Sequence, residues 1–80
     1  MRLLNAEIGR RLKKYRVEKG ISQMKLGLQI GLDRTYIAKV ENGDGNVSVN
    51  NLAKIAAGLD ITLVLLFVGI ELNEDGTVKE

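Results

Sequence analysis

The stretch that most limits what this chain can fold into is SQMKLGLQIGLDRTYIAKVEN, residues 22–42. Leu26 and Ile30 stand four apart, Gly31 interrupts, and Ile37 and Val40 stand three apart, so a helical period runs on each side of one glycine. Ser22 is placed to cap the first helix by accepting a bond from a free backbone amide, and Asp33 to cap the second. Gly31 suits the positive φ that turns the chain within three residues. The segments on either side read as support for this corner.

Such a corner has the spacing of a helix-turn-helix. With Leu32 and Ile37 facing inward, a step of about 100° per residue puts Thr35, Ala38, Lys39 and Asn42 on the outward face, with Arg34 and Tyr36 on its flanks. A short cationic face with Arg and Thr at its N-terminal end suits a DNA major groove. Arg bonds bidentately to guanine O6 and N7, Thr bonds a base or meets a thymine methyl, and Tyr and Lys reach phosphates. Arg34, Thr35, Ala38 and Lys39 are therefore the candidate base contacts, and Tyr36 and Asn42 candidate phosphate contacts. Taken alone, these outward residues read equally well as an ordinary solvated helix face.

Composition narrows the classes. Eighty residues make one domain, and a chain this short buries only about 60% of its unfolded surface, a shortage that dimerisation would relieve. The aromatic residues are Tyr15, Tyr36 and Phe67 alone, so the core must be aliphatic. Net charge is only +2, but the basic residues from Arg10 to Lys39 precede Glu41, while Glu71, Glu74, Asp75 and Glu80 close the chain. Without cysteine or histidine, disulfides and thiolate metal sites are excluded and zinc chemistry effectively so; no metal, cofactor or small-molecule ligand is expected. The N-terminus lacks a secretory h-region, and the apolar run from Ile61 to Ile70 is half of the ~20 residues a membrane helix needs, so a cytoplasmic protein is expected.

Along the chain, residues 4–19 read as a first helix with Leu4, Ile8, Leu12 and Tyr15 on one stripe and Gly20 at its end. Its Arg10-Arg11-Leu12-Lys13-Lys14 cluster reads first as a solvated face and second as a set of phosphate contacts. Gln23, in the first turn of the second helix, has an amide that, with the free backbone donors, suits a phosphate. The Asn-Gly-Asp-Gly-Asn run after Glu41 is a connector that brings Asn46 toward the DNA backbone. It is neither a dinucleotide site, since position 48 is Ser, nor a calcium loop, since the twelfth residue from Asp44 is Ile55. Ser48 then caps a fourth helix that reaches about Gly58.

The residues Arg16, Gly20, Ser22-Gln23, Leu26, Gly31, Ile37 and Val40-Glu41-Asn42-Gly43 carry a resemblance. From Ile8 to Phe67 the chain resembles the lambda-repressor and Cro-like, or XRE, DNA-binding domains. Within them it is most similar to the controller proteins of restriction-modification systems, through its RTY run and the N-V-S entry to the fourth helix. The resemblance implies a mainly α domain of four to five helices whose third helix enters the major groove. It also implies a structural ion pair between Arg16 and Glu41. Two positions depart from the pattern: Gly27 stands where alanine is usual, and Lys25 where an acidic residue is usual, which puts an acidic contact there in doubt and suggests a phosphate contact instead.

The tail reads two ways. Residues 60–70 form either a fifth helix capped by Thr62, as the controller proteins imply, or a strand rich in β-branched residues. Asp75-Gly76, a hairpin signal, favours the strand, so a C-terminal strand or hairpin is the expectation. Either form leaves an apolar face that one protomer cannot cover, and Ile61, Leu63, Leu65 and Phe67 are expected at a dimer interface. The whole reading is a homodimeric transcription regulator on double-stranded DNA with a near-palindromic operator. The alternative is an antitoxin that binds a toxin protein and represses its own operon, and a third is an interaction module without DNA binding. Catalysis has no support, because the acids are scattered and Ser22 and Ser48 sit where caps are needed.

Overall fold

The computed structural model describes residues 2–80. Five helices follow in order: α1 (Leu4–Lys19), α2 (Gln23–Ile30), α3 (Arg34–Glu41), α4 (Val49–Gly58) and α5 (Leu63–Phe67). Each contributes one aliphatic side chain sealed from water, namely Leu12, Leu26, Ile37, Ile55 and Leu66. The helix starts follow from side-chain caps. Ser22 Oγ accepts from the Lys25 amide, Asp33 Oδ1 from the Thr35 amide and Ser48 Oγ from the Asn51 amide, each at 3.0 Å. Gly31 ends α2 with φ at 73° and donates its N–H to the Gly27 carbonyl.

Close packing around α3 rests on two glycines inside helices. A Cβ on Gly9 would lie 2.2 Å from the Val40 carbonyl oxygen, so α1 and α3 touch backbone to backbone there. A Cβ on Gly27 would lie 2.4 Å from the Leu32 carbonyl oxygen. The departure from alanine at Gly27 thus permits a tight α2–α3 corner, at a helix-propensity cost of about 1 kcal/mol.

The tail differs from the expected strand. Leu63–Phe67 is helical, and among the described residues only isolated bridges form, Arg2 with Val78 and Leu72 with Val78. Three of the five α5 residues are leucine, and the β-branched Ile61, Thr62 and Val68 flank the helix instead of filling it. Docking completes the choice: Leu66 enters the core, while Arg11 Nη1 donates to the Leu65 and Val68 carbonyls at 3.5 and 2.7 Å. Thr62 occupies the cap position but makes no side-chain cap bond. Asp75-Gly76 does form a turn, with Asn73 and Thr77 paired across it, and Asp75 accepts from both the Thr77 amide and hydroxyl. That turn ties the C-terminus to Arg2 through the Val78 amide.

Glu7, unremarked in the sequence, is buried at 3% exposure and faces three guanidinium groups. Arg2, Arg10 and Arg11 donate to its carboxylate at 2.5, 2.6 and 2.9 Å. The bonds from Arg10, then Arg11, hold its pKa down at about 2 against the usual 4.5, in opposition to burial. Two members of the basic cluster are therefore tied to a buried carboxylate, Arg11 half-buried and Arg10 still exposed to solvent. Because the folded pKa lies below the unfolded one, Glu7 contributes stability at pH above about 4.5 that is lost as the pH falls toward 2. The urea midpoint of the wild type should drop across that window by more than that of Glu7→Gln, which should already be weaker at pH 7 by up to about 3 kcal/mol. Parallel pH profiles for the two proteins would remove Glu7 from this role.

Candidate nucleic-acid interface

The outward face of α3 is set by what holds its inner face. Ile37 and Val40 are buried in the core, and Glu41 is buried at the helix end. Arg16 grips the Glu41 carboxylate bidentately, Nε to Oε2 at 2.6 Å and Nη2 to Oε1 at 3.1 Å, and donates Nη1 to the Ile21 carbonyl at 2.8 Å. Gln23 Nε2 donates to the same carboxylate at 3.0 Å. One carboxylate thus gathers α1, α2 and α3.

With that face inward, Arg34, Thr35 and Lys39 are exposed and Ala38 is half-buried. Arg34 shares a cleft of about 390 Å³ at the start of α2 with Ser22, Gln23 and Met24, so Gln23 and Arg34 come together. Lys25 is exposed in the first turn of α2, and Asn42 is exposed at the end of α3. Tyr36 is half-buried, its hydroxyl accepting from Asn51 Nδ2 at 3.1 Å. Asn46 lies apart from the cleft, on an apolar groove of about 420 Å³ that includes Leu4, Val49 and Phe67. The connector before it is pinned by Asn5, whose Nδ2 donates to the Gly43 and Gly45 carbonyls at 3.0 and 2.9 Å. Neither Asn5 nor Asn51 carried a local sequence signal, because both act on segments far along the chain.

The residues expected at a dimer interface are rearranged by the helix. Ile61 is half-buried against the core, while Leu63, Leu65 and Phe67 stay exposed. Val64 and Val68, four apart, are more exposed still, at 67% and 55%. The alternating set of a strand gives way to a compact apolar patch that includes these two valines.

The family profile described as helix-turn-helix matches residues 12–66. The chain belongs to this helix-turn-helix family. It is 52% identical over 69 residues to Control protein C.MunI of a Mycoplasma species, covering 85% of this chain and 93% of that protein. The controller protein C.AhdI from Aeromonas hydrophila superposes with a TM-score of 0.76 at 44% identity, over 79% of this chain and 96% of the other. The controller protein C.Esp1396I, solved as a tetramer with its natural 35 base-pair operator, superposes with a TM-score of 0.75 at 34% identity, over 84% of this chain and 88% of the other. Membership in a family of DNA-binding regulators agrees with the exposed cationic end of α3. Among the described residues no three acidic side chains come together in a cluster that could hold a metal ion, and no helix is long and apolar enough to cross a membrane.

Removing the gathering carboxylate tests the geometry. Glu41→Ala strands the buried Arg16 and frees Gln23, and should lower unfolding free energy by about 3 kcal/mol. Thermal and urea midpoints equal to those of the wild type would show that this ion pair does not hold α3.

Proposed function

We propose that the protein is a sequence-specific transcription regulator of the restriction-modification controller kind, acting as a homodimer on a near-palindromic DNA operator. The observation that carries this reading is the orientation of α3, which places Arg34 and Thr35 outward at a capped helix N-terminus beside the Gln23 cleft. Arg34, Thr35, Ala38 and Lys39 read base edges, while Gln23, Lys25, Tyr36 and Asn42 contact phosphates, with Asn46 reaching the backbone from the side. The operator complex of C.Esp1396I supports DNA as the partner. No observation favours a toxin partner, and no small-molecule ligand or catalytic role is needed to account for the site.

Pairing follows from the α5 patch. Val64, Phe67 and Val68 in a lone protomer leave apolar surface in water at about 25 cal/mol per Å², and a two-fold axis through the patch covers it with its own copy. To enter successive major grooves, the two copies of α3 related by that axis must stand roughly 34 Å apart, one turn of DNA. Arg11 ties α5 to α1, and α1 touches α3 at Gly9, so direct contacts connect the pairing surface to the reading helix.

Arg34→Ala and Thr35→Ala should each weaken selective binding by about 1–3 kcal/mol with the melting temperature unchanged. Lys39→Ala should lose more affinity for the selected duplex than for random DNA, as befits a base-edge contact; an equal loss on every sequence with a shallower salt slope would move Lys39 to the phosphate set. The duplex for this gel-shift series is one selected by the wild-type protein from a random pool, and wild-type affinity in Arg34→Ala would mean that another face reads DNA.

Val64→Glu and Phe67→Glu place a charge that its symmetry mate repels. Sedimentation should show monomer or aggregate, and affinity for the same duplex should fall although α3 is untouched. Two soluble dimers with normal affinity would move the pairing surface elsewhere.

A further inference from the structure

A hydrogen bond from Asn51 Nδ2 to Tyr36 Oη, at 3.1 Å, joins α4 to the reading helix. Asn51 is the third residue of α4, and its own backbone amide is held by Ser48 Oγ at 3.0 Å, so the side chain starts from a fixed point. Tyr36 is the third residue of α3, half-buried with its ring against the core. A phenol carries one proton and two acceptor lone pairs. Because the oxygen accepts from Asn51, the proton is left over, and among the described residues it meets no protein acceptor.

We propose that Asn51 is a positioning residue for DNA binding, holding Tyr36 Oη as an acceptor so that its proton is presented to a phosphate oxygen of the DNA backbone. The proposal rests on the DNA-binding reading above. Phosphate oxygens only accept, so a tyrosine that touches one must arrive as a donor. An amide that donates to the phenol oxygen forbids the alternative in which the hydroxyl turns inward, and it polarises the O–H bond toward the stronger donor. The donor order then runs one way, from α4 through α3 to DNA. Asn51 touches no nucleic acid in this scheme and acts only through Tyr36.

Inverting the polarity of that chain is the test. Affinities for a duplex selected from a random pool by the wild-type protein are measured for Tyr36→Phe, Asn51→Ala and Asn51→Asp, and for the two Asn51 substitutions in the Tyr36→Phe background. Tyr36→Phe should lose about tenfold or more. The carboxylate of Asn51→Asp is nearly isosteric but only accepts, so it draws the proton inward and should lose at least as much. Asn51→Ala leaves the hydroxyl free to rotate and should lose less. In the Tyr36→Phe background Asn51→Ala should have no effect beyond about twofold, because the hydroxyl through which Asn51 acts is gone; a merely structural contact is told apart by Asn51→Asp, which would keep a hydrogen bond to that hydroxyl and spare binding. There Asn51→Asp should keep only charge repulsion from DNA, recognised by its strong salt dependence.

The proposal is overturned if Tyr36→Phe binds as the wild type does, or if Asn51→Ala costs the same factor with and without the hydroxyl. It is also overturned if Asn51→Asp is neutral, which would mean that the amide oxygen, and not the nitrogen, faces Tyr36. In all three cases the loss in Arg34→Ala still stands, and the DNA-binding reading with it. A wild-type chain that selects no duplex would overturn both.

Discussion

A single buried carboxylate decides how the first three helices meet. Glu41 is the last residue of α3, and its two oxygens take Arg16 from α1 and Gln23 from α2, while Arg16 spends its remaining nitrogen on the Ile21 carbonyl between them. A buried charge left without its partner costs several kcal/mol, so arrangements that separate these groups are strongly disfavoured. Aliphatic contacts between Ile37, Leu26 and Leu12 tolerate small rotations of a helix, whereas a bidentate pair does not. The rotation of α3 about its own axis, and with it the outward display of Arg34 and Thr35, is therefore fixed by polar chemistry inside an apolar core.

A similar device stands near the other end of α1. Glu7 draws in Arg2 from the N-terminus and Arg10 and Arg11 from the next turn, and Arg11 goes on to the open carbonyls of α5. Two acidic residues thus organise much of the cationic half of the chain. Arg10, Arg11, Arg16 and Lys19 of α1 are each paired with a carboxylate, whereas Lys13 and Lys14 on α1, and Lys25, Arg34 and Lys39 on α2 and α3, are exposed and enter no ion pair among the described residues.

Local signals made most of this legible. Caps at Ser22, Asp33 and Ser48, the glycine breaks and the 3.6-residue period gave four helices at their observed places, because each signal acts within one turn of itself. The tail was misread because its competing forms differ little in local preference: Val64 and the flanking Ile61, Thr62 and Val68 favour extended chain, and only contacts with Arg11 and the Leu66 pocket select the helix. Asp75-Gly76 signalled a real hairpin turn, across which Leu72 bridges Val78 and Lys79 donates to the Glu71 carbonyl; what no hairpin rule anticipates is that Val78 also pairs with Arg2 at the far end of the chain. Glu7 could have been found from its spacing of three and four to Arg10 and Arg11, the spacing at which side chains meet on a helix. Asn51 could not, since its partner lies on another helix and its residue type fits any first turn.

The shortness of α5 has a consequence for timing. Isolated helices of fewer than about 12–15 residues are marginal in water, and α5 has five. Its outer valines and phenylalanine become a defined surface only after α1 has folded and Arg11 has closed the last turn. A chain synthesised only as far as α4 accordingly has no pairing surface, and at low copy number the amount of proposed dimer grows as the square of the protein that carries α5. Well below the dissociation constant of such a dimer, a doubling of protein would raise the paired form nearly fourfold, a steepness that rests on one short helix held in place by Arg11.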